Sequence, residues 1–84
     1  MKVVFTATAR KSLRRVPVDR RIQIVSRIEA VASGQGQRFD VQRLAGSDLM
    51  RLRVGEYRVL FAVDTANQVL RVELVRTRGD VYKR

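Results

Sequence analysis

The sequence contains no cysteine and no histidine among its 84 residues. Without cysteine the chain cannot form a disulfide or a thiolate metal site. Without histidine it lacks the commonest transition-metal ligand and the usual general base of enzymes. Zinc sites and histidine-based catalytic triads are therefore not expected, and we predict neither a cofactor nor a bound metal.

Long apolar runs are also missing. No run approaches the roughly 18 apolar residues of a membrane span, and the first residues, MKVVFTATARKSLRR, lack the apolar stretch of a signal peptide. We therefore expect a cytoplasmic protein that does not associate with membranes. A length of 84 residues leaves no room for a second core, so a single domain spanning residues 1–84 is predicted.

Acidic residues are scarce, because 8 of them face 18 basic residues, and the formal net charge is +10. Fifteen of the basic residues are arginines, whose planar fork of donors suits phosphate and carboxylate groups. This composition predicts a polyanionic partner. Simple solubility is the alternative interpretation.

The first part of the chain has the spacing of a strand and a helix. Residues 2–6, KVVFT, are typical of a short strand. Ala9, Leu13 and Val16 then recur at helical intervals until Pro17 ends the helix.

A second helix is predicted to begin at Pro17 and to end at the Ser33-Gly34-Gln35-Gly36 segment. Its arginines at positions 20, 21 and 27 are expected on the side opposite an apolar stripe. The stripe predicted to face the core consists of Val18, Ile22, Val25, Ile28 and Ala32, widened by Ile24 and Val31.

After the loop GQGQRFDVQRLAGSD the apolar residues recur at every second position, as in strands. Three strands are predicted around residues 50–54, 57–64 and 70–74, the last with Leu70, Val72 and Leu74 on one side. They are joined by turns at Gly55-Glu56 and at residues 65–68. The predicted fold is α+β: a short N-terminal strand, a two-helix hairpin, and a three-stranded antiparallel meander with the helices on one face.

The turn at Gly55-Glu56 sorts the strand residues between the two faces. A two-residue turn places Val54 opposite Tyr57 and Arg53 opposite Arg58, so that Arg51, Arg53 and Arg58 point away from the helices. Like charges directly opposite each other are unfavourable, and a bound phosphate would remove that cost. The alternative is that Glu73 and Asp80 neutralise a face that is merely solvated.

The C-terminal residues, RTRGDVYKR, add Arg76, Arg78 and Tyr82. Guanidinium groups favour a phenolate, so the pKa of Tyr82 is predicted to lie below its usual value. Tyr82 is thus a possible proton acceptor in a chain without histidine, although a tyrosine near a chain end usually only packs.

The strand pair LMRLRVGEYRVLF and the later segment VELVRTRGDVY resemble the RelE/ParE superfamily of bacterial toxins from type II toxin–antitoxin systems, and its RelE branch in particular. The resemblance extends over essentially the whole chain, including the proline-joined helices and the RLAGS loop. It implies the helical-hairpin-plus-sheet fold and cleavage of mRNA in the ribosomal A site without a metal.

The resemblance also implies the site. The catalytic residues that it indicates are Arg51, Arg53, Arg58, Arg78 and Tyr82, with Arg76 as second choice to Arg78. Well-known RelE toxins have lysines where this chain has Arg51 and Arg53. Because arginine effectively never deprotonates, these two residues can stabilise charge but are poor bases, which leaves Tyr82 as the stronger base candidate.

The implied reaction uses the RNA as its own nucleophile. A base takes the proton of a ribose 2′-hydroxyl, which attacks the adjacent phosphorus and gives a 2′,3′-cyclic phosphate and a 5′-hydroxyl. Positioning and charge stabilisation carry most of such catalysis, and arginines can supply both.

The expected partners are a cognate acidic antitoxin, the ribosome and mRNA, with promoter DNA bound only through the antitoxin complex. Two alternatives are a ParE-like inhibitor of DNA gyrase and a non-catalytic nucleic-acid-binding protein or decayed toxin. ParE-like members generally lack the cluster of arginines and tyrosine, so the sequence favours the nuclease.

Overall fold

A computed structural model of the chain describes residues 1–77. Two helices and five strands make up most of this part. They are β1 (Lys2–Phe5), α1 (Ala7–Arg14), α2 (Val18–Ala30), β2 (Val41–Arg43), β3 (Met50–Val54), β4 (Tyr57–Asp64) and β5 (Val69–Thr77). Between α2 and β2 the chain forms a π-helical turn, Val31–Gln35, and a short 3₁₀ helix, Gly36–Arg38.

The five strands form one sheet in the order β1-β5-β4-β3-β2. The pairs β2–β3, β3–β4 and β4–β5 are antiparallel. The last two form the predicted meander. Strand β1 runs parallel to β5. The α+β architecture predicted from the sequence is confirmed. The prediction did not include β2. This strand lies in the segment predicted as a loop and pairs with β3 at the edge of the sheet.

Local side chains set the ends of the helices. The Thr6 hydroxyl accepts a hydrogen bond from the Ala9 N–H at 3.0 Å, as an N-cap does at the start of α1. Pro17 directly precedes α2, where its missing N–H costs no helical hydrogen bond. Gly34, with φ of 89°, takes the left-handed conformation that ends the helical segment.

The core lies between the helices and one face of the sheet. Ile24 and Ile28 of α2 are fully buried against strand residues that include Leu52, Val59 and Phe61. The predicted stripe of α2 was therefore wrong in part, because Val18 and Ile22 are 62% and 64% exposed. The helix has apolar residues on most of its circumference, and the packing selects the side that carries Ile24 and Ile28.

A bulge interrupts the pairing of β4 with β5. Leu60 faces Leu74, but the next residue of β4, Phe61, faces Val72, so Glu73 is the extra residue of β5. Val72 and Val75 are consequently both buried, while Leu74 is only half-buried on the other face. The predicted placement of Leu74 with Leu70 and Val72 was wrong for this reason.

Candidate nucleic-acid interface

Three arginines lie side by side across the outer face of the sheet, the face turned away from the helices. Arg53 of β3 faces Arg58 of β4, and Arg58 faces Arg76 of β5. We call Arg53, Arg58 and Arg76 the arginine row. Since neighbouring strands are about 4.8 Å apart, the row concentrates three positive charges within about 10 Å.

The β3–β4 turn creates the first half of the row. Gly55 has φ of 58°, a left-handed conformation that glycine adopts without a steric cost. The two-residue turn then pairs Val54 with Tyr57 and Arg53 with Arg58, in the predicted register. A cleft of about 150 Å³ at this end of the sheet is lined by Arg53, Gly55, Glu56 and Arg58.

The bulge creates the second half. A strictly alternating β5 would place Arg76 on the same face as Val72, toward the core. The extra residue, Glu73, reverses the alternation and places Arg76 opposite Arg58 on the outer face. Arg76 therefore lies in the row, although the sequence made it only the second choice.

Two polar side chains at the start of the chain support the bulge. The Thr6 hydroxyl donates a hydrogen bond to the carbonyl of Glu73 at 3.1 Å. The Ser12 hydroxyl accepts one from the Val75 N–H at 3.0 Å. Both contacts satisfy backbone groups of β5 at the bulge. Left unpaired and buried, these groups would destabilise the folded protein.

Arg51 lies on the same face but differs from the row in having an acidic partner. Its guanidinium Nη2 is 3.3 Å from Oδ1 of Asp40, the residue just before β2. Between residues 1 and 77, no carboxylate pairs within 4.0 Å with Arg53, Arg58 or Arg76. In the described part of the chain the row is thus a positive surface without an ion-paired carboxylate, and such surfaces bind phosphate.

Glu73, which could have neutralised the arginines, pairs with Arg71 instead. That carboxylate raises the pKa of Arg71 above its usual value, chiefly through their hydrogen bond. A larger depression of about 620 Å³ lies at this other end of the sheet. Its lining includes Asp48 and Asp64 beside Arg43 and Arg71, so its mixed charge suits an anion less well than the row does.

No helix in the described part of the chain is long and apolar enough to cross a membrane. Within residues 1–77 no cluster of acidic side chains could hold a metal ion.

Comparison with solved structures gives clear matches. The RelB–RelE antitoxin–toxin complex from Methanococcus jannaschii contains a chain that is 27% identical, with a TM-score of 0.79 and coverage of 94% of both chains. The toxin–antitoxin complex RelBE2 from Mycobacterium tuberculosis matches at 26% identity and a TM-score of 0.77, covering 94% of this chain and 92% of that one. The chain belongs to the RelE-like toxin superfamily.

The isolated RelE toxin from Escherichia coli has the same fold at 19% identity, with a TM-score of 0.75 and coverage of 90% of this chain and 82% of that chain. No protein-family model and no curated protein matches the sequence. The RelE relationship therefore rests on structure more than on sequence. It supports a toxin of a toxin–antitoxin system.

The described residues bring together four of the six site residues predicted for this RelE-like chain: Arg51, Arg53, Arg58 and Arg76. Arg78 and Tyr82 lie outside the described residues. The sequence analysis missed Asp40, which contacts Arg51. No periodic signal in the sequence marks Asp40, because the strand that follows it, β2, has only three residues.

Proposed function

We propose that this RelE-like toxin is an endoribonuclease that cleaves mRNA on the translating ribosome and is neutralised by a cognate acidic antitoxin. The observation that carries the proposal is the arginine row, three arginines on one open face of the sheet that form no ion pair with any carboxylate of residues 1–77. Such a surface suits a phosphodiester whose negative charge spreads during in-line attack.

The proposed reaction is an internal phosphoryl transfer in which the RNA supplies its own nucleophile. The ribose 2′-oxygen forms a bond to phosphorus, and the bond from phosphorus to the leaving 5′-oxygen breaks. The 5′-oxygen takes a proton from water and becomes the 5′-hydroxyl. The proton of the 2′-hydroxyl passes to a base, for which Tyr82 is the proposed residue. The arginine row stabilises the charge that builds on the phosphate oxygens, and Arg78 is proposed to donate hydrogen bonds on the leaving side.

Dependence on the ribosome is proposed because the interface has few groups that could read bases. The outer face beside the row presents Leu60 and Leu74 and no aromatic side chain from the described strands. RNA-binding domains that select bases by themselves commonly stack them on aromatic rings. The ribosome would then position the mRNA.

The decisive experiment is induction of the gene followed by mapping of mRNA ends and by assays of purified protein. We expect cleavage within translated messages with codon periodicity, efficient cutting of mRNA on ribosomes and poor cutting of free RNA. Efficient cutting of naked RNA without stimulation by ribosomes would contradict ribosome dependence. Induction of the DNA damage response with intact transcripts would favour gyrase as the target.

The role of Tyr82 can be tested with Tyr82→Phe, which removes the phenolic hydroxyl alone. Loss of a general base costs on the order of 10² to 10⁴ in rate. We expect a loss of this size in single-turnover cleavage on ribosomes, with binding unchanged. Tyr57→Phe is the matched control, because Tyr57 lies in the core and points away from the row. Wild-type cleavage by Tyr82→Phe would show that another group accepts the proton.

The proposed antitoxin is an acidic chain that covers part of this basic surface. The supporting observations are the net charge of +10 and the RelB–RelE complexes among the similar structures. The product of a neighbouring reading frame should copurify with the toxin and abolish cleavage, and the pair should bind its own promoter through the antitoxin. Harmless expression of this chain alone, with no such neighbour, would contradict the proposal.

A further inference from the structure

Asp40 lies beside the arginine row, and its contacts are specific. The Asp40 carbonyl accepts a hydrogen bond from the Arg53 N–H at 3.0 Å, so antiparallel pairing continues one residue beyond β2. The Asp40 carboxylate meanwhile contacts the Arg51 guanidinium at 3.3 Å. The backbone of Asp40 is thus fixed beside Arg53, while its side chain holds Arg51.

The Asp40–Arg51 pair is partly sheltered from solvent. The side chain of Arg51 is only 19% exposed and that of Asp40 is 44% exposed. Among residues 1–77, the Arg51 Nε is buried without a hydrogen-bond partner. The carboxylate of Asp40 is therefore the principal group that fixes the Arg51 guanidinium, and partial burial reduces the screening of this contact.

Arg51 consequently differs from the three arginines of the row. Arg51 is held in place and charge-balanced, whereas Arg53, Arg58 and Arg76 have no carboxylate within 4.0 Å among residues 1–77. A phosphate approaching this face finds its strongest attraction at the row. An unpaired Arg51 would offer a competing position two residue pairs further along the strands.

We propose that Asp40 is a positioning residue that holds the Arg51 guanidinium and thereby directs the scissile phosphate onto the arginine row. The inference rests on the proposed ribonuclease function and extends it to a residue that does not itself touch the RNA. It predicts opposite effects on binding and turnover when the carboxylate is removed. Binding strengthens because a positive charge is released, and turnover slows because the phosphate is no longer confined to the row.

The substitution Asp40→Asn keeps the shape of the side chain and the backbone bond to Arg53. We expect the variant to gain one phosphate contact with a short, labelled single-stranded RNA. The slope of log K against log salt should then become steeper by about 0.7, which corresponds to about fivefold tighter binding at 0.1 M salt. For mRNA on ribosomes, we expect single-turnover cleavage to slow by about 10- to 100-fold, since small misplacements of reacting groups have effects of this size.

The matched control is Asp48→Asn, which makes the same change of charge in another ion pair. Asp48 lies 3.9 Å from Arg43, and both side chains are largely exposed. We expect this variant to cleave at the wild-type rate and to bind RNA with the wild-type salt slope. Asp40→Glu, which keeps the carboxylate, should restore most of the cleavage rate and the weaker binding.

A double substitution tests whether Asp40 acts through Arg51. In an Arg51→Gln background, Asp40→Asn should have no further effect on affinity or rate, because the pair no longer exists. Additive effects of the two substitutions would overturn the proposal. An unchanged RNA affinity or an unchanged cleavage rate in the single variant Asp40→Asn would also overturn the proposal. Loss of the acidic limb of the pH–rate profile in this variant would overturn it as well, because Asp40 would then be the proton acceptor.

The ribonuclease function and the positioning role of Asp40 can be tested separately. If the wild-type protein cleaves no mRNA on ribosomes, the proposed function is wrong. The comparison of RNA affinity between Asp40→Asn and Asp48→Asn still reports whether Asp40 restrains Arg51 in that case. If the wild-type protein cleaves and the two variants behave alike, only the role of Asp40 is wrong.

Discussion

Arg58 has more like-charged neighbours than the other arginines of the sheet, since its partners on both adjacent strands are Arg53 and Arg76. A half-buried arginine between two others raises the free energy of the folded protein, because like charges directly opposite repel. Binding sites often retain such unfavourable arrangements because a ligand relieves them. The position of Arg58 is thus easier to explain by phosphate binding than by stability.

Substitution of Arg58 by alanine tests this explanation. We expect the free energy of unfolding to stay constant or to rise by about 0.2 to 1 kcal/mol, because repulsion within the row is removed. RNA binding should weaken and cleavage should slow. Thermal melting and RNA titration measure the two effects. Arg20→Ala on α2 is the control, since it removes the same charge at an exposed position far from the sheet. Unfolding of Arg58→Ala would mean that the side chain has a structural role.

At the scale of elements, β5 shows how one inserted residue changes the chemistry of a surface. The bulge at Glu73 lets Val72 and Val75 both reach the core and still places Arg76 on the outer face. The hydroxyls of Thr6 and Ser12 bond to the backbone of the bulge residue Glu73 and of Val75. The row therefore depends on α1 and its N-cap, which lie on the opposite side of the sheet.

The substitution Ser12→Ala tests the hydrogen bond between the Val75 N–H and the Ser12 hydroxyl. Loss of the hydroxyl leaves the Val75 N–H without its partner, and an unsatisfied buried donor costs about 1 to 3 kcal/mol. Urea unfolding should show this loss, and RNA affinity should fall as Arg76 becomes less well placed. The control is Ser33→Ala, whose exposed hydroxyl bonds only to carbonyls of the preceding helical turn. Equal destabilisation by both variants would show that the bond to β5 has no special importance.

The β4–β5 turn should make stability dependent on pH. Hydrogen bonds from the side chain and then from the backbone of Asn67 lower the pKa of Asp64 below its ordinary 3.8. A carboxyl with a depressed pKa in the folded state contributes stability above its unfolded pKa and loses it as the pH falls further.

Asp64→Asn should therefore melt below the wild type at pH 7, and the difference should shrink as the pH falls below 3.8. Asn67→Ala removes the main donor and should show the same dependence. A difference in melting temperature that is constant with pH would contradict the assigned cause.

The sequence predicts some elements of this fold much better than others, for local reasons. Gly55 fixes the β3–β4 register, so the facing pair Arg53 and Arg58 was predicted correctly. The bulge leaves no trace in the alternating residues of β5, and β2 has only three residues, too few for a periodic signal. The inward side of α2 could not be chosen by periodicity, because Val18 and Ile22 are as apolar as Ile24 and Ile28. The contact of Asp40 with Arg51 depends on β2 and was missed with it.

For the whole molecule, the question is whether the charge of +10 acts as a diffuse field or through a defined surface. Single-stranded RNA bound by Arg53, Arg58 and Arg76, with or without Arg51, should give a slope of log K against log salt of about −2 to −3. Fluorescence anisotropy of a labelled RNA over a range of salt concentrations measures it. A slope near −7, as about ten contacts would give, would indicate that binding is spread over the entire surface.

Because β1 pairs in parallel with β5, the first strand to be synthesised must wait for the last one. The bond from Thr6 to Glu73 joins residues 67 positions apart. On a nascent chain, the β3–β4 hairpin can close by itself, but Arg76 and the support from α1 join only after β5 has left the ribosome. Such long-range pairing also slows folding after release. The topology thus keeps the arginine row incomplete until β5 has been synthesised and has emerged from the ribosome.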